Sequence, residues 1–178
     1  MVSKTHAFHV TPEKVVRKIV DAGVTHIPYL PGTERDTIHN LLTAAPELSL
    51  VPVCREGETM AIATGLIIGG KKPMVMIQNT GMFESGDSIR GFTYYARLPL
   101  VMMIGYRGWV LDGQARDSAG IYTQPILDAW RATSIPLITD EDLDRIPEAY
   151  TIAEETGRPV ALLLPDDASV PKTPGASS

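Results

Sequence analysis

Six short apolar runs, rich in β-branched residues, recur along the chain and alternate with stretches of helical periodicity. The runs occupy residues 25–30, 49–53, 74–78, 100–106, 137–139 and 160–164. The third, fourth and sixth are nearly continuous rather than alternating, which is typical of strands buried on both faces of a parallel sheet. The pattern therefore predicts six parallel strands.

The stretches between these runs have the spacing and the ends of helices. Thr11 and Pro12 are suited to the N-cap and first helical position, and an apolar stripe from Val15 to Val20 follows before Gly23. Further helices are predicted at residues 37–45, 58–68, 85–97, 125–133 and 142–155. Regular alternation of strand and helix predicts a three-layer α/β/α domain around a central parallel six-stranded sheet.

Composition narrows the classes of function. The chain has 178 residues, a formal net charge of −5 and no basic cluster, which argues against nucleic acid as a partner. It has one cysteine, no apolar run near the ~20 residues of a membrane helix, and no leader-like N-terminus. We expect a cytoplasmic protein that does not bind membranes, with one domain over residues 1–170 and a flexible tail over 171–178.

The candidate chemistry lies where strands end, because ligands bind beyond the carboxyl ends of strands in an open parallel sheet. Glu56 follows the second strand and precedes a helix of small residues. A carboxyl there can exchange a proton with a ligand nitrogen. The alternative is that Glu56 and Glu58 only complement the positive end of a helix, worth ~0.3–1 kcal/mol. The four histidines have no metal-ligand spacing, so we expect no metal site in this chain.

One longer stretch has a recognisable pattern. Residues 53–81 read VCREGETMAIATGLIIGGKKPMVMIQNTG, with an Arg-Glu turn, a small-residue helix, Gly-Gly-Lys-Lys-Pro, a buried strand and Gln-Asn-Thr-Gly. This order resembles the pyrimidine-binding (PYR) domain of thiamine-diphosphate enzymes, in particular the sulfopyruvate and phosphonopyruvate decarboxylases. The resemblance extends more weakly over residues 10–168.

The resemblance implies roles for individual residues. Glu56 would be catalytic, contacting N1′ of the cofactor's aminopyrimidine and activating it for ylide formation, with decarboxylation of a small 2-oxo acid to follow. Gln78, Asn79 and Gly81 would bind the cofactor with it, although strand-end hydrogen bonding is an equal alternative for Asn79. The substrate would contact Pro31, Gly32, Thr33 and Arg107, although a solvated arginine is an equal alternative for Arg107.

The resemblance also implies a second polypeptide. Thiamine-diphosphate enzymes hold Mg²⁺ and the diphosphate in a PP domain marked by Gly-Asp-Gly, which this chain lacks. A complementary PP-domain (β) subunit would supply that site, in an α2β2 or larger assembly with this chain as the α subunit.

The chain departs from the family pattern at three places. Gly57 interrupts a run of acidic residues, and Phe83 and Glu84 stand where a glycine and an asparagine are usual after Gly81. Residues 106–109, Tyr-Arg-Gly-Trp, replace an ending of the Ser-His-Arg-Gly type and lack its histidine. An acidic 82–87 segment facing an anionic substrate would be unfavourable, so the substrate's side group stays open. Three alternatives also stay open: a carboligase acting on another 2-oxo acid, a non-catalytic binding or regulatory subunit, and a flavodoxin-like nucleotide binder.

Overall fold

A computed structural model of the chain describes residues 10–31, 36–109 and 117–165. Its strands are β1 (His26–Tyr29), β2 (Ser49–Pro52), β3 (Val75–Gln78), β4 (Val101–Tyr106), β5 (Thr133–Pro136) and β6 (Val160–Pro165). Its helices are α1 (Pro12–Asp21), α2 (Asp36–Ala44), α3 (Glu56–Ile68), α4 (Asn79–Glu84), α5 (Gly86–Ala96), α6 (Ser118–Ala129) and α7 (Arg145–Thr156), with a 3-10 helix at Asp140–Asp144.

The six strands form one sheet in the order β2-β1-β3-β4-β6-β5, and every pairing is parallel. This confirms the predicted three-layer architecture around a six-stranded parallel sheet. Among the helices described, none has the length and apolar character required to span a membrane.

Each face of the sheet has its own hydrophobic core, because successive strand residues point to opposite faces. Met74, Met76 and Met103 pack on one face against α1, α2 and α7. Val75, Ile77 and Met102 pack on the other face against α3, α4, α5 and α6. Strands buried on both sides explain why these runs are continuously apolar.

The fifth strand was predicted at residues 137–139, and this was wrong. The strand is β5, at Thr133–Pro136, and it pairs only with β6. An edge strand tolerates Thr133, Ser134 and the proline, since one side of its backbone has no ladder partner. Leu137 is fully buried just after the strand, so its hydrophobicity reflects the core rather than the ladder.

The helix predicted at residues 125–133 was also misplaced. It is α6, at Ser118–Ala129, with Pro125 inside it and Asp117 accepting a hydrogen bond from the Ala119 N–H at 2.9 Å as its cap. Residues 118–124, which were not predicted to be helical, form the beginning of α6. Glycine in a sequence usually argues against a helix at that position. Here Gly120 is required because the backbone just after β4 passes close to it. A Cβ on Gly120 would lie 2.6 Å from the Gly108 carbonyl oxygen.

Other helices agree with the predictions only in part. The helix expected at 85–97 is α5, at Gly86–Ala96, whereas the short helix α4 before it was not predicted. Helix α3 begins at Glu56 rather than at residue 58. The segment expected to be one helix at 142–155 consists of the end of the 3-10 helix and then α7. The expected tail, residues 171–178, lies outside the described residues.

Candidate functional site

The candidate site lies where the chain leaves two neighbouring strands toward opposite faces of the sheet. β1 and β3 are adjacent, with Tyr29 paired to Met76. β1 is followed by α2, which packs on one face, whereas β3 is followed by α4 on the other. This divergence leaves a crevice at the carboxyl edge of the sheet, which is the usual ligand position in open α/β folds.

The turn after β2 begins α3 and carries two glutamates with different contacts. Glu58 Oε2 accepts hydrogen bonds from the backbone N–H groups of Cys54 and Arg55, at 3.0 and 3.2 Å. This is the reciprocal half of a capping box, in which a side chain three residues into the helix satisfies the N-cap N–H. Glu58 thus serves the helix end.

Glu56, the first residue of α3, lies against Gly81 of α4. A Cβ added to Gly81 would lie 2.5 Å from Glu56 Cγ, 2.7 Å from Oε1 and 2.9 Å from Cδ. These distances are shorter than any non-bonded carbon contact, so only a glycine at position 81 accommodates this side chain. The structure therefore brings together Glu56 and Gly81, two of the predicted site residues that are 25 positions apart in sequence.

The Glu56 side chain is half-buried, and its carboxylate is unpaired within the part of the chain that the structure describes. The backbone carbonyl oxygen of Glu56 accepts a hydrogen bond from the Thr59 hydroxyl at 2.5 Å. A partly desolvated carboxylate that lacks a protein donor retains its full capacity to bind a ligand.

Glu84, the last residue of α4, reaches the same turn. Its Oε2 accepts from the Gly57 N–H at 2.9 Å, and its Oε1 accepts from Arg55 Nε. Glu58 and Glu84 together satisfy backbone donors at the start of α3. Glu56 lies in the same first turn of α3, so the alternative, that it complements the positive end of this helix, stays open beside the predicted role.

Asn79 begins α4 and is fully buried. Its Nδ2 donates to the Arg107 carbonyl oxygen and to Thr123 Oγ1, both at 3.0 Å, and its Oδ1 accepts from the Thr80 N–H at 3.1 Å. These bonds connect the ends of β3 and β4 to α6. They match the strand-end alternative for Asn79, and a cofactor contact by this residue stays a prediction.

The other predicted cofactor residue of this strand end, Gln78, is the last residue of β3 and is half-buried. It lies directly before α4, with Asn79 and Gly81 following it at the same edge of the sheet. The end of β3 thus brings together Gln78, Asn79 and Gly81. The Glu56 side chain lies against Gly81.

Arg107 lies at the end of β4 with 54% of its side chain exposed. Its Nη2 is 3.0 Å from Asp117 Oδ2, the carboxylate that also caps α6. Gly108, next to it, has φ +80°, and a Cβ there would lie 2.6 Å from Asp117 Cβ. Arg107 is thus held by an ion pair at the sheet edge.

The remaining predicted substrate residues are at the end of β1. Pro31 is exposed there, while Gly32 and Thr33 lie outside the described residues. Among the residues that the structure describes, no group of three His, Cys, Asp or Glu side chains could hold a metal ion.

Sequence reasoning missed the positions of Glu84 and Asp117 relative to the site. Both carboxylates contact arginines that are distant in sequence, Arg55 and Arg107. A helical start at Asn79 would have placed Glu84 one turn from Gly81 on the same side of α4, since residues three apart are neighbours on a helix. The absence of an N-cap side chain before α4 concealed that start.

Several proteins of known name are similar to this chain in sequence. The chain is 28% identical over 154 residues to sulfopyruvate decarboxylase subunit alpha of Methanococcus maripaludis, covering 85% of this chain and 92% of that protein. It is 28% identical to a sulfopyruvate decarboxylase of Methanosarcina acetivorans, of which it covers 40%. It is 27% identical over 94 residues to phosphonopyruvate decarboxylase of Streptomyces viridochromogenes, covering 53% of this chain and 24% of that one. No protein-family model matches the chain.

Solved structures show the same fold. The 2-oxoglutarate:ferredoxin oxidoreductase of Magnetococcus marinus superposes with a TM-score of 0.69 and 16% identity, over 89% of this chain. This chain spans 29% of that longer chain. At this level of identity the likeness concerns the fold alone. From the sequence similarity over most of its length, the chain is a relative of the sulfopyruvate decarboxylase alpha subunits and of phosphonopyruvate decarboxylase.

Proposed function

We propose that the chain is the α (PYR) subunit of a two-chain, thiamine-diphosphate-dependent 2-oxo acid decarboxylase. The observation that carries the proposal is the half-buried Glu56 carboxylate, unpaired within the described residues and packed against Gly81 at the crevice between β1 and β3. The relatives named as decarboxylase subunits support it, because each matches about 85% of this chain.

The residues at this edge fit an aminopyrimidine ring. A ring nitrogen requires one carboxyl group that is not already bonded by the protein, and Glu56 meets that requirement. Gly81 leaves the space that the Glu56 side chain occupies, so the carboxyl can lie at this edge of the sheet where the ring would bind. Gln78 at the end of β3 would form the adjacent wall, beside the buried Asn79.

Thiamine diphosphate, when bound, supplies a thiazolium carbon that adds to the carbonyl of a 2-oxo acid and accepts the electrons released with CO₂. Glu56 would share a proton with N1′ of the aminopyrimidine, which favours the imino form at the opposite amino group. The half-buried position of Glu56 keeps bulk water away from that proton. Asn79, by joining the ends of β3 and β4, fixes the wall against which the ring would rest.

The substrate would lie on the open side of the crevice, near Pro31, Gly32 and Thr33 after β1 and Arg107 after β4. The Arg107 ion pair with Asp117 leaves the guanidinium more than half exposed, so it can still attract a carboxylate or another anion. The acid's second acidic group, sulfonate, phosphonate or carboxylate, is the feature that this side of the site would distinguish.

The diphosphate and Mg²⁺ would be held by a complementary PP-domain subunit. Two observations support a partner chain. The relatives of similar length are named as alpha subunits. The layer formed by α3, α5 and α6 also exposes large apolar side chains, Ile68, Tyr95, Ile121 and Tyr122. Tyrosine, two of these four residues, is enriched in protein–protein interfaces.

Replacing Glu56 by glutamine in the complex of both chains tests the proposal. We expect kcat to fall by about 10²–10⁴, the usual contribution of a positioned acid–base group. Glu58→Gln is the matched control, because it changes a carboxylate two positions away that serves the helix end. Release of CO₂ and of aldehyde from a panel of 2-oxo acids is the measurement, and detection of an acyloin product would identify a carboligase instead.

The proposal is overturned if Glu56→Gln and Glu58→Gln leave the same turnover. It is also overturned if the purified two-chain complex binds thiamine diphosphate and converts no 2-oxo acid, which would favour a regulatory subunit. Tight binding of FMN or a nucleotide by this chain alone would favour the third alternative.

A further inference from the structure

We propose that Glu84 is a positioning residue that holds the Glu56 carboxyl in its working orientation; the inference rests on the proposed function. Glu84 accepts from the N–H of Gly57, the residue after Glu56, at 2.9 Å. It also accepts from Nε of Arg55, the residue before Glu56. One carboxylate therefore fixes the residues on both sides of the catalytic position.

The helix that carries Glu84 also carries the wall against which Glu56 packs. Gly81, three residues earlier in α4, is the glycine whose Cβ would overlap the Glu56 side chain. Contact with Gly81 restricts where the Glu56 carboxyl can lie, and the bonds to Glu84 restrict where its backbone can move. Helix α4 thus constrains Glu56 in both respects.

Helix α4 is itself attached to other elements at its start, where the buried Asn79 bonds to the Arg107 carbonyl oxygen and to Thr123. At its end, the buried Ser85 hydroxyl donates to the Gly81 carbonyl oxygen at 2.8 Å and so closes the helix's own last turn. The bonds of Asn79 therefore hold α4 in place relative to β3 and β4, and α4 thereby positions the turn at Glu56. A functional group needs supporting residues of this kind.

Glu84 also directs a neighbouring positive charge. Without Glu84, the Arg55 guanidinium would lose its carboxylate partner one residue away from the unpaired Glu56 carboxylate. An arginine paired with Glu56 would compete with the ligand nitrogen for the same oxygens. By binding Arg55, Glu84 leaves Glu56 available.

The same contact revises the expectation for the 82–87 segment. Glu84 is bonded to Arg55 and Gly57, and Asp87 is bonded to Arg90 through Nε at 3.0 Å and Nη2 at 2.6 Å. The segment is helical and both acids have partners within the chain. Gly57 and Glu84, which belong to two of the departures from the family pattern, are in contact with each other.

The positioning role predicts a larger effect on catalysis than on stability. Exposed ion pairs contribute little to folding, and 73% of the Arg55 side chain and 30% of the Glu84 side chain are exposed. A displacement of about 1 Å in a reacting group, in contrast, can lower turnover by about a hundredfold.

Glu84→Ala and Glu84→Gln in the two-chain complex test the inference, with Asp87→Asn as the matched control. We expect Glu84→Ala to lower kcat about ten- to a hundredfold with KM for the 2-oxo acid changed less than about twofold. Glu84→Gln retains an oxygen for the Gly57 N–H and should recover part of that loss. Titration calorimetry should show weaker thiamine diphosphate binding in Glu84→Ala, with binding by Asp87→Asn unchanged.

The inference is overturned if Glu84→Ala matches Asp87→Asn in kcat and in cofactor affinity. It is equally overturned if the loss in Glu84→Ala is accompanied by a matching fall in Tm that Glu84→Gln shares, since this would indicate general destabilisation. Glu56→Gln, measured alongside, separates the two hypotheses. Lost turnover in Glu56→Gln with none lost in Glu84→Ala removes only the positioning role, whereas full turnover in Glu56→Gln removes the proposed function.

Discussion

The turn that begins α3 and the turn that begins the 3-10 helix have the same hydrogen-bond pattern. In the first, Glu58 accepts from the N–H groups of Cys54 and Arg55. In the second, Asp142 accepts from the N–H groups of Ile138 and Thr139, both at 2.9 Å. Each turn also places a second carboxyl residue directly after its N-cap, Glu56 in one and Asp140 in the other.

Asp140 and Glu56 occupy equivalent positions in the two turns but differ in the hydrogen-bond donors around their carboxylates. Asp140 accepts from the Thr11 N–H at 2.7 Å, the Thr11 hydroxyl at 2.9 Å and Lys14 Nζ at 2.7 Å, and so fastens the start of α1. Within the described part of the chain, the Glu56 carboxylate has no such donors and lies beside a glycine. The comparison shows that, at equivalent positions of two similar turns, the described part of the fold satisfies Asp140 and leaves the Glu56 carboxylate without a donor.

The largest effect on turnover is expected from a substitution that fills the space beside Glu56. Gly81→Ala adds a methyl group where the Glu56 side chain lies, so we expect that side chain to move and kcat of the two-chain complex to fall about a hundredfold. Stability should change little, because the helix preference of alanine over glycine, ~0.8–1 kcal/mol, offsets part of the cost of displacing the Glu56 side chain.

Gly91→Ala is the control for that change, since Gly91 is also helical and a Cβ there would meet nothing within 4 Å. Steady-state kinetics and thermal unfolding of both variants are the measurements. Equal turnover in Gly81→Ala and Gly91→Ala would contradict the assignment of Gly81 to the site.

A second prediction tests the shared part of the two turns. Glu58→Ala and Asp142→Ala each remove a carboxylate that satisfies two backbone N–H groups. We expect each to lower the free energy of unfolding by about 1 kcal/mol, within the range measured for lost caps. Denaturant unfolding measures it, and a large loss in only one variant would show that the two turns are not equivalent.

A third prediction concerns how the contribution of Asp140 to the free energy of unfolding depends on pH. Burial raises the pKa of Asp140, but hydrogen bonds from Lys14 and Thr11 outweigh it and lower the pKa to about 2, from 3.8. A lowered folded-state pKa stabilises the fold at pH values above about 4, and that stabilisation is lost as the pH falls toward about 2.

Asp140→Asn should therefore be less stable than the original chain by about 1 kcal/mol at neutral pH, after allowance for solvent screening, and the difference should shrink below pH of about 4. Unfolding curves at several pH values measure it. A difference that stays constant down to pH of about 2 would contradict the ionised role of Asp140.

The smallest effect is expected at Asp144, whose ion pair with Lys18 also joins the 3-10 helix to α1. Its side chain is 74% exposed. Asp144→Asn should change the free energy of unfolding by less than about 1 kcal/mol, as is usual for exposed pairs. Comparison with Asp140→Asn in the same unfolding experiment checks it, and a larger effect at Asp144 would reverse the ranking.

Much of the fold could be predicted from local pattern. The continuous apolar runs at β3, β4 and β6 reflect burial on both faces, which any parallel sheet imposes on its inner strands. The errors arose where other contacts override local preference. Gly120 and Pro125 lie inside α6, and the edge strand β5 is less hydrophobic than the buried segment that follows it.

By itself, the sequence determined the order of strands and helices, the parallel sheet and the resemblance that drew attention to Glu56 and Gly81. Tertiary structure decided which of several similar carboxylates remains unpaired within the described residues. The reason is that hydrogen-bond partners here come from distant positions: Asp140 is bonded by a residue 129 positions away, and Glu84 reaches the turn from 27 positions away. Local periodicity does not encode such pairings, because they form only when strands that are separated in sequence become neighbours in the sheet.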